Sequence, residues 1–183
     1  MKVTALVVAK APVPGLAKTR LAATIGFDAA ADIAAAALLD TLDAVADADF
    51  GARVIALTGD LDKAARADEL KARLATFTVV TQRGDGFADR LINAHFDAAT
   101  GHPVFQIGMD TPQIDIALLN SSAAHLTEPG RTVLGMAEDG GWWALGIPDP
   151  TLARALRDVP MSTPDTGART ASSLAALGAH IIP

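Results

Sequence analysis

No cysteine and no tyrosine occur among the 183 residues, and six phenylalanines and two tryptophans supply all the aromatic rings. Without cysteine there is no disulfide scaffold, no thiolate zinc site and no thiol nucleophile. So few rings leave little surface for stacking on bases. Positive charge is also short: 15 Lys and Arg against 21 Asp and Glu give a formal net charge of −6. That balance argues against broad nucleic-acid or anionic-membrane binding. No apolar run reaches the length of a membrane span. The apolar run at the N-terminus leads straight into a turn, too short and wrongly flanked for a signal peptide. The expectation is a soluble cytoplasmic protein whose partners are small-molecule substrates, with no nucleic acid and no membrane span.

What the chain has is aliphatic bulk. Half of the residues are hydrophobic, mostly Ala, Leu, Val and Ile, and the mean hydropathy is +0.30. That is enough for a sizeable core, and the length suits one domain over 1–183.

Strand and helix signals alternate. Val3 to Ala9 is a continuous apolar run closed by Lys10-Ala11-Pro12, as in a strand buried on both faces. Asp28 is placed to cap a long Ala-rich helix in which Leu38, Leu42 and Val45 share one face and Asp40, Asp43 and Asp47 another, in solvent. Val54 to Leu57 reads as a strand, and Asp60 as the cap of a charged helix to about Leu74. Phe77 to Thr81 is a third strand, followed by a helix marked by Phe87, Leu91 and His95. Val104 to Ile107 is the fourth strand, and a helix then runs to about Leu126. Thr132 to Met136 and Trp142 to Leu145 are further strands. Short helices near Leu152–Leu156 and Ala168–Leu177 precede a last strand at Ile181-Ile182. Such alternation predicts an α/β fold with a largely parallel sheet.

In sheets of this kind ligands bind beyond the strands' carboxyl ends, where strand order reverses. Two loops there are chemically loaded, and a third follows the fifth strand. The first runs from Lys10 to Leu21 and gathers Lys10, Lys18 and Arg20 around Gly15 and two prolines. Cations and backbone N–H groups converging at a helix start suit a phosphate; a solvated basic turn is the alternative. It is no P-loop, since Pro12 and Ala17 stand where Walker A spacing needs glycine, and no GxGxxG is present. Asp110, at the end of the fourth strand and stiffened by Thr111-Pro112, is placed to hold Mg²⁺ on nucleotide phosphates. It is equally placed to cap a helix beginning near Gln113. Glu138-Asp139-Gly140-Gly141-Trp142-Trp143 offers Asp139 as a second metal ligand or base, or else a plain acidic hairpin turn. Trp142 and Trp143 point to opposite faces if extended, so one at most meets a ligand. In the turn Gln82 to Gly86 an arginine stands beside the nucleotide region, with Asp85 near a helix cap. The four histidines have no metal-ligand spacing, and Ser121-Ser122 and Ser172-Ser173 lack a nucleophile-elbow frame.

Four segments taken together, 10–21, 84–91 (Gly-Asp-Gly-Phe-Ala-Asp-Arg-Leu), 108–112 (Gly-Met-Asp-Thr-Pro) and 139–146 (Asp-Gly-Gly-Trp-Trp-Ala-Leu-Gly), resemble a family of small bacterial proteins of uncharacterised function. Its members, commonly called glycosyltransferase-like, have the GT-A, or nucleotide-diphospho-sugar transferase, fold. The 10–21 loop is also similar to that of the 2-phospholactate guanylyltransferases. The resemblance implies a single three-layer α/β/α domain with a mixed, mostly parallel sheet in which the first and fourth strands are neighbours. It implies that Lys10, Gly15, Lys18, Arg20 and Gly84 bind the nucleotide, and that Asp110 and Asp139 serve Mg²⁺ (or Mn²⁺) and catalysis. Many relatives have Tyr-Tyr where Trp142-Trp143 stand, and Trp-Ser-Thr where Met161-Ser162-Thr163 stand, changes that bear on the acceptor.

Three functions fit. Glycosyl transfer from a nucleotide-sugar to a small acceptor is favoured by the length of the family match. Nucleotidyl transfer from an NTP to a phosphorylated small molecule is favoured by Pro112, which leaves one Asp where glycosyltransferases often have Asp-x-Asp. A nucleotide-binding protein without turnover is the third.

Overall fold

A computed structural model describes residues 1–182; Pro183, the last residue of the expected domain, lies outside them. In chain order the elements are β1 (Thr4–Lys10), α1 (Thr19–Ile25), α2 (Phe27–Asp47), β2 (Ala52–Thr58), α3 (Ala67–Leu74), β3 (Thr78–Thr81), α4 (Phe87–Ala98), β4 (Val104–Gly108), α5 (Ile116–Ala124), β5 (Arg131–Met136), β6 (Trp142–Ile147), α6 (Thr166–Ala176) and β7 (His180–Ile182). Three short 3₁₀ turns, Leu61–Lys63, His125–Thr127 and Pro150–Leu156, punctuate them.

The seven strands form one sheet in the order β3-β2-β1-β4-β6-β5-β7. β1 pairs in parallel with both β2 and β4, so the strand order reverses between β1 and β4. β6 runs antiparallel to β4 and to β5, while β7 is parallel to β5. The sheet is thus mixed and mostly parallel, and the first and fourth strands are neighbours as the resemblance implied.

Burial explains why β1 sits inside the sheet, between β2 and β4. Val3, Ala5, Val7 and Ala9 belong to one core layer, with Leu38, Leu42 and Val45 of α2, Leu70 and Leu74 of α3 and Leu119 of α5. Leu6 and Val8 belong to the opposite layer, with Leu91 and Ile92 of α4, Leu156 of the turn Pro150–Leu156 and Leu174 of α6. An unbroken apolar run is what a strand covered on both sides requires.

Several helix starts differ from expectation, and each difference has a local cause. Gly26, at φ +87°, breaks the helical path between α1 and α2 and takes the N-cap position expected of Asp28, which falls in the first turn. Asp60 caps only the turn Leu61–Lys63, through the Asp62 amide, and α3 starts afresh at Ala67. Asp43 is half-buried beside Arg73 rather than in solvent, the ion pair spanning 2.5 Å. Gly86, not Asp85, is the N-cap of α4. The cap of α5 is Asp115, whose carboxylate accepts from the Leu118 amide at 2.6 Å. Asp110 therefore caps nothing.

Candidate functional site

The carboxyl edge of the sheet opens into a cleft of about 870 Å³ at the β1/β4 reversal. One end is bordered by Thr58, Gly59 and Gln82, the middle by Lys10 and Asp110, and the far end by Asp139, Trp142, Trp143 and Ser162. Three of the residues singled out from the sequence, Lys10, Asp110 and Asp139, line this cleft.

Asp110 emerges just beyond β4, and its carboxylate receives the Lys18 ammonium group from the loop after β1. Lys18 immediately precedes α1 and adopts φ +46°, a left-handed conformation that costs a non-glycine residue about 1–2 kcal/mol. Lys18 is itself outside the cleft lining and meets the cleft only through its contact with Asp110. Gly15, at φ +79°, turns the same loop. Gly15 and Arg20 are not among the cleft-lining residues, and Arg20 is exposed on α1. Gly84 is also outside the lining. Its φ of +127° and the 2.8 Å from its would-be Cβ to Asp89 Cβ explain the glycine structurally.

Asp139 lies in the turn between β5 and β6 and accepts from the Gly141 amide at 2.9 Å, which fixes its direction. That turn is the hairpin expected as the plainer reading, yet Asp139 faces the cleft as well. Gly140 is needed there: its φ is +84°, and a Cβ would stand 1.8 Å from the Pro164 carbonyl oxygen. The Gly167 amide donates to the Gly140 carbonyl at 2.8 Å, docking the turn onto the start of α6.

The tryptophans depart from expectation. They do join opposite core layers, Trp143 with Phe105 and Trp142 beside Leu145. Yet both border the cleft. The strand bulges here: Gly135 pairs with Ala144 but Met136 with Trp142, so Trp143 is an extra residue and the strand twists. Trp143 lies over Gly135, where a Cβ would come within 2.4 Å of its Nε1, and meets Phe105 edge-on at 6.3 Å.

Other lining residues were not anticipated. The Gln82 side-chain amide donates to the carbonyls of Ala9 at 2.7 Å and Ala56 at 2.8 Å, tying the ends of β1 and β2 together. Arg90 of α4 borders the cleft with no carboxylate partner among the described residues; its side chain makes one long contact, 3.4 Å, to the Gly86 carbonyl. Gln106, in β4, forms part of the floor. A glutamine inside the apolar run Val104–Ile107 is the signal that would have found it.

Asp110 fits a divalent cation carried on phosphates. Its carboxylate is half-exposed and already attracts a cation, the Lys18 ammonium. Mg²⁺ needs few protein carboxylates when phosphate and water supply the remaining oxygens. Among the described residues no three acidic or histidine side chains gather into a self-sufficient metal cage.

This architecture is the fold of nucleotide-diphospho-sugar transferases and cytidylyltransferases. A candidate nucleotide-diphospho-sugar transferase from Desulfovibrio desulfuricans G20 superposes with a TM-score of 0.83 at 22% identity, over 99% of this chain and 78% of that one. The 4-diphosphocytidyl-2C-methyl-D-erythritol synthase of Anaerococcus prevotii DSM 20548 gives 0.61 at 9% identity, over 98% and 86%. CMP:2-keto-3-deoxy-manno-octonic acid synthetase, in complex with CTP, gives 0.54 at 11%, over 99% and 88%. No curated protein matches the sequence. Residues 41–163 match the bacterial family described as "Uncharacterized protein conserved in bacteria (DUF2064)". The chain belongs to that family. The match takes in Asp110 and Asp139; the basic loop lies before it.

No helix among the described residues is long and apolar enough to cross a membrane.

Proposed function

We propose that this chain is a nucleotide-dependent transferase assisted by Mg²⁺ or Mn²⁺, favoured as a glycosyltransferase acting from a nucleotide-sugar on a small acceptor. The observation that carries the reading is the contact of Lys18 with Asp110 at the midpoint of the cleft. Asp110, with Asp139 as second candidate, would hold the metal, which neutralises negative charge on the phosphates when bound. Lys18, Lys10 and Arg20 would contribute cationic donors to the same oxygens, and Gly15 and Gly84 shape the loops around the nucleotide. In this reading the nucleotide lies toward Gln82 and Gly59 and the acceptor toward Asp139 and the tryptophans. Asp139, oriented by the Gly141 amide, accepts the proton of an acceptor hydroxyl.

A second reading, nucleotidyl transfer from an NTP, draws on Pro112. Asp110 has no acidic neighbour two residues on, and a phosphate nucleophile needs no base, leaving Asp139 without a proton to take. CTP in the related synthetase is consistent with it. Incubation with Mg²⁺ and a panel of NTPs and nucleotide-sugars separates the readings. Acceptor-dependent release of a nucleoside diphosphate supports glycosyl transfer, and pyrophosphate supports nucleotidyl transfer. Nucleotide binding without either product marks a binding protein, and no nucleotide binding overturns the proposal. The domain 1–183 acts as one unit in this scheme, and its place in the cell is the cytoplasm.

A further inference from the structure

Beneath the cleft, a polar pair interrupts the apolar layer between α4 and the sheet. His95 is fully buried and Gln106 is 3% exposed, and His95 Nε2 lies 2.8 Å from Gln106 Oε1. His95 Nδ1 is buried with no hydrogen-bond partner among the described residues. A buried N–H without a partner is rarer and costlier than an unused lone pair. The ring proton therefore sits on Nε2 and is donated to the Gln106 carbonyl oxygen, and Nδ1 keeps only its lone pair. Burial also holds His95 neutral, its pKa pulled down to about 4.

This fixes the polarity of Gln106. With its oxygen committed to His95, the amide can only turn its NH₂ group elsewhere. That nitrogen makes no hydrogen bond among the described residues, and it is not sealed from solvent as His95 Nδ1 is. Gln106 lines the cleft, as do Leu91 and Arg90 of α4. Trp142 lines the cleft as well, but its N–H, without a partner among the described residues, is sealed from solvent like His95 Nδ1 and offers a ligand nothing. The wall thus offers one amide donor and one cation that has no carboxylate partner among the described residues. Its complement is a ligand group rich in acceptor oxygens and negatively charged.

We propose that the Gln106 amide, positioned by His95, determines specificity in a subsite for the acceptor, reading an oxygen of a hydroxylated anion whose charge faces Arg90. The inference rests on the transferase reading for the word acceptor, but the subsite's chemistry is independent of which transfer occurs. The anionic group is a carboxylate or a phosphate ester.

The test uses the full chain with ¹⁵N-labelled side chains. Its probes are glycerate, glycerol 3-phosphate and uncharged glycerol at millimolar concentration, with the four NTPs plus Mg²⁺ in a separate arm. The free protein should show His95 protonated at Nε2; protonation at Nδ1 would present the Gln106 oxygen instead and overturn the proposal. Glycerate or glycerol 3-phosphate should shift the Gln106 amide saturably and bind more tightly than glycerol, and whichever of the two binds better names the anion. Gln106→Leu should weaken that binding about tenfold or more, the loss of one hydrogen bond in a sheltered site. Gln106→Glu, which presents acceptors, should weaken it at least as much. In His95→Phe the Gln106 shift should vanish while the preference for anions over glycerol, carried by Arg90, persists. Absence of any Gln106 shift with all three probes overturns the subsite, as does unchanged affinity in both Gln106 variants. If the probes bind and no NTP does, the transferase reading fails and the anion subsite stands. If NTPs bind and no probe does, the reverse holds.

Discussion

Lys18 and Asp110 are 92 residues apart in sequence, yet their side chains meet where the sheet's strand order reverses. Both are half-exposed, so this ion pair by itself adds little stability, about 0–1 kcal/mol for a surface pair. A contact that does little for folding, made by a residue in a strained conformation, is better explained by what it does to a ligand. Lys18→Ala should weaken nucleotide binding by about 1–3 kcal/mol, as for a charged hydrogen bond. Arg20→Ala, exposed on α1 and outside the cleft lining, should do less. Calorimetric titration with intact folding checks both, and unchanged affinity in the pair would remove the phosphate loop.

Asp110→Asn should abolish the metal-dependent part of the nucleotide-induced thermal shift while the unliganded melting temperature barely moves. The structure sharpens this comparison, because Asp115 and not Asp110 caps α5. Asp110→Ala should therefore be equally harmless to stability. Asp115→Ala should cost about 1 kcal/mol and leave Mg²⁺ titrations alone. Coincident titrations for wild type and Asp110→Asn would leave Asp110 without a role.

Asp139→Asn retains an oxygen able to accept from the Gly141 amide, so the hairpin should hold its shape. Turnover should fall by about 10²–10⁴-fold if Asp139 is the base, with nucleotide affinity within about twofold of wild type. A collapse of nucleotide affinity with turnover preserved would reverse the assignment.

Gly140→Ala combines a positive φ with a backbone oxygen in the path of the new methyl group. Neither can relax without undocking the hairpin from α6. Urea unfolding should show a loss of about 2–4 kcal/mol, the range of backbone strain with broken packing. A change under 0.5 kcal/mol, the ordinary scatter of surface substitutions, would mean the turn is free to move.

His95 gives the fold a pH dependence of known sign. Its pKa is lowered in the folded chain from 6.5 to about 4 by burial, so the unfolded chain binds the proton more readily between those values. Stability should be full above pH 6.5 and fall by about 3 kcal/mol as the pH drops to 4, at 1.36 kcal/mol per unit. Depressed carboxylates such as Asp32 and Asp165, held down by hydrogen bonds with Arg66 and with Thr163, lose their contribution only at lower pH. His95→Phe should flatten the 6.5-to-4 portion of a urea-unfolding series. An unaltered slope would show that His95 does not titrate there.

Much of this arrangement was legible in the order of residues. The apolar runs at Val3–Ala9, Val54–Leu57 and Val104–Ile107 marked buried parallel strands, since only a strand covered on both faces lacks alternation. Asp110 and Lys10 were found by their position at strand ends. What escaped were features with no local cost. A cap can be any of several nearby carboxylates, and which of Asp110 and Asp115 serves α5 depends on where the helix is free to start. Gly15, Arg20 and Gly84 carried the right chemistry or the right motif, yet the cleft walls pass them by.

Local pattern alone carried most of the elements and their alternation, while the β1/β4 neighbourhood that opens the cleft was implied by the family resemblance and is shown by the strand pairing. Periodicity and glycine placement act over a few residues, so they can be read without knowing the rest of the chain. Tertiary pairing settled that β6 runs antiparallel, that it bulges at Trp143, and that Gln106 shows its nitrogen rather than its oxygen. Strand direction and bulges are settled by pairing between distant segments. The orientation of a buried amide is settled by whichever partner, here His95, leaves the fewest N–H groups without an acceptor.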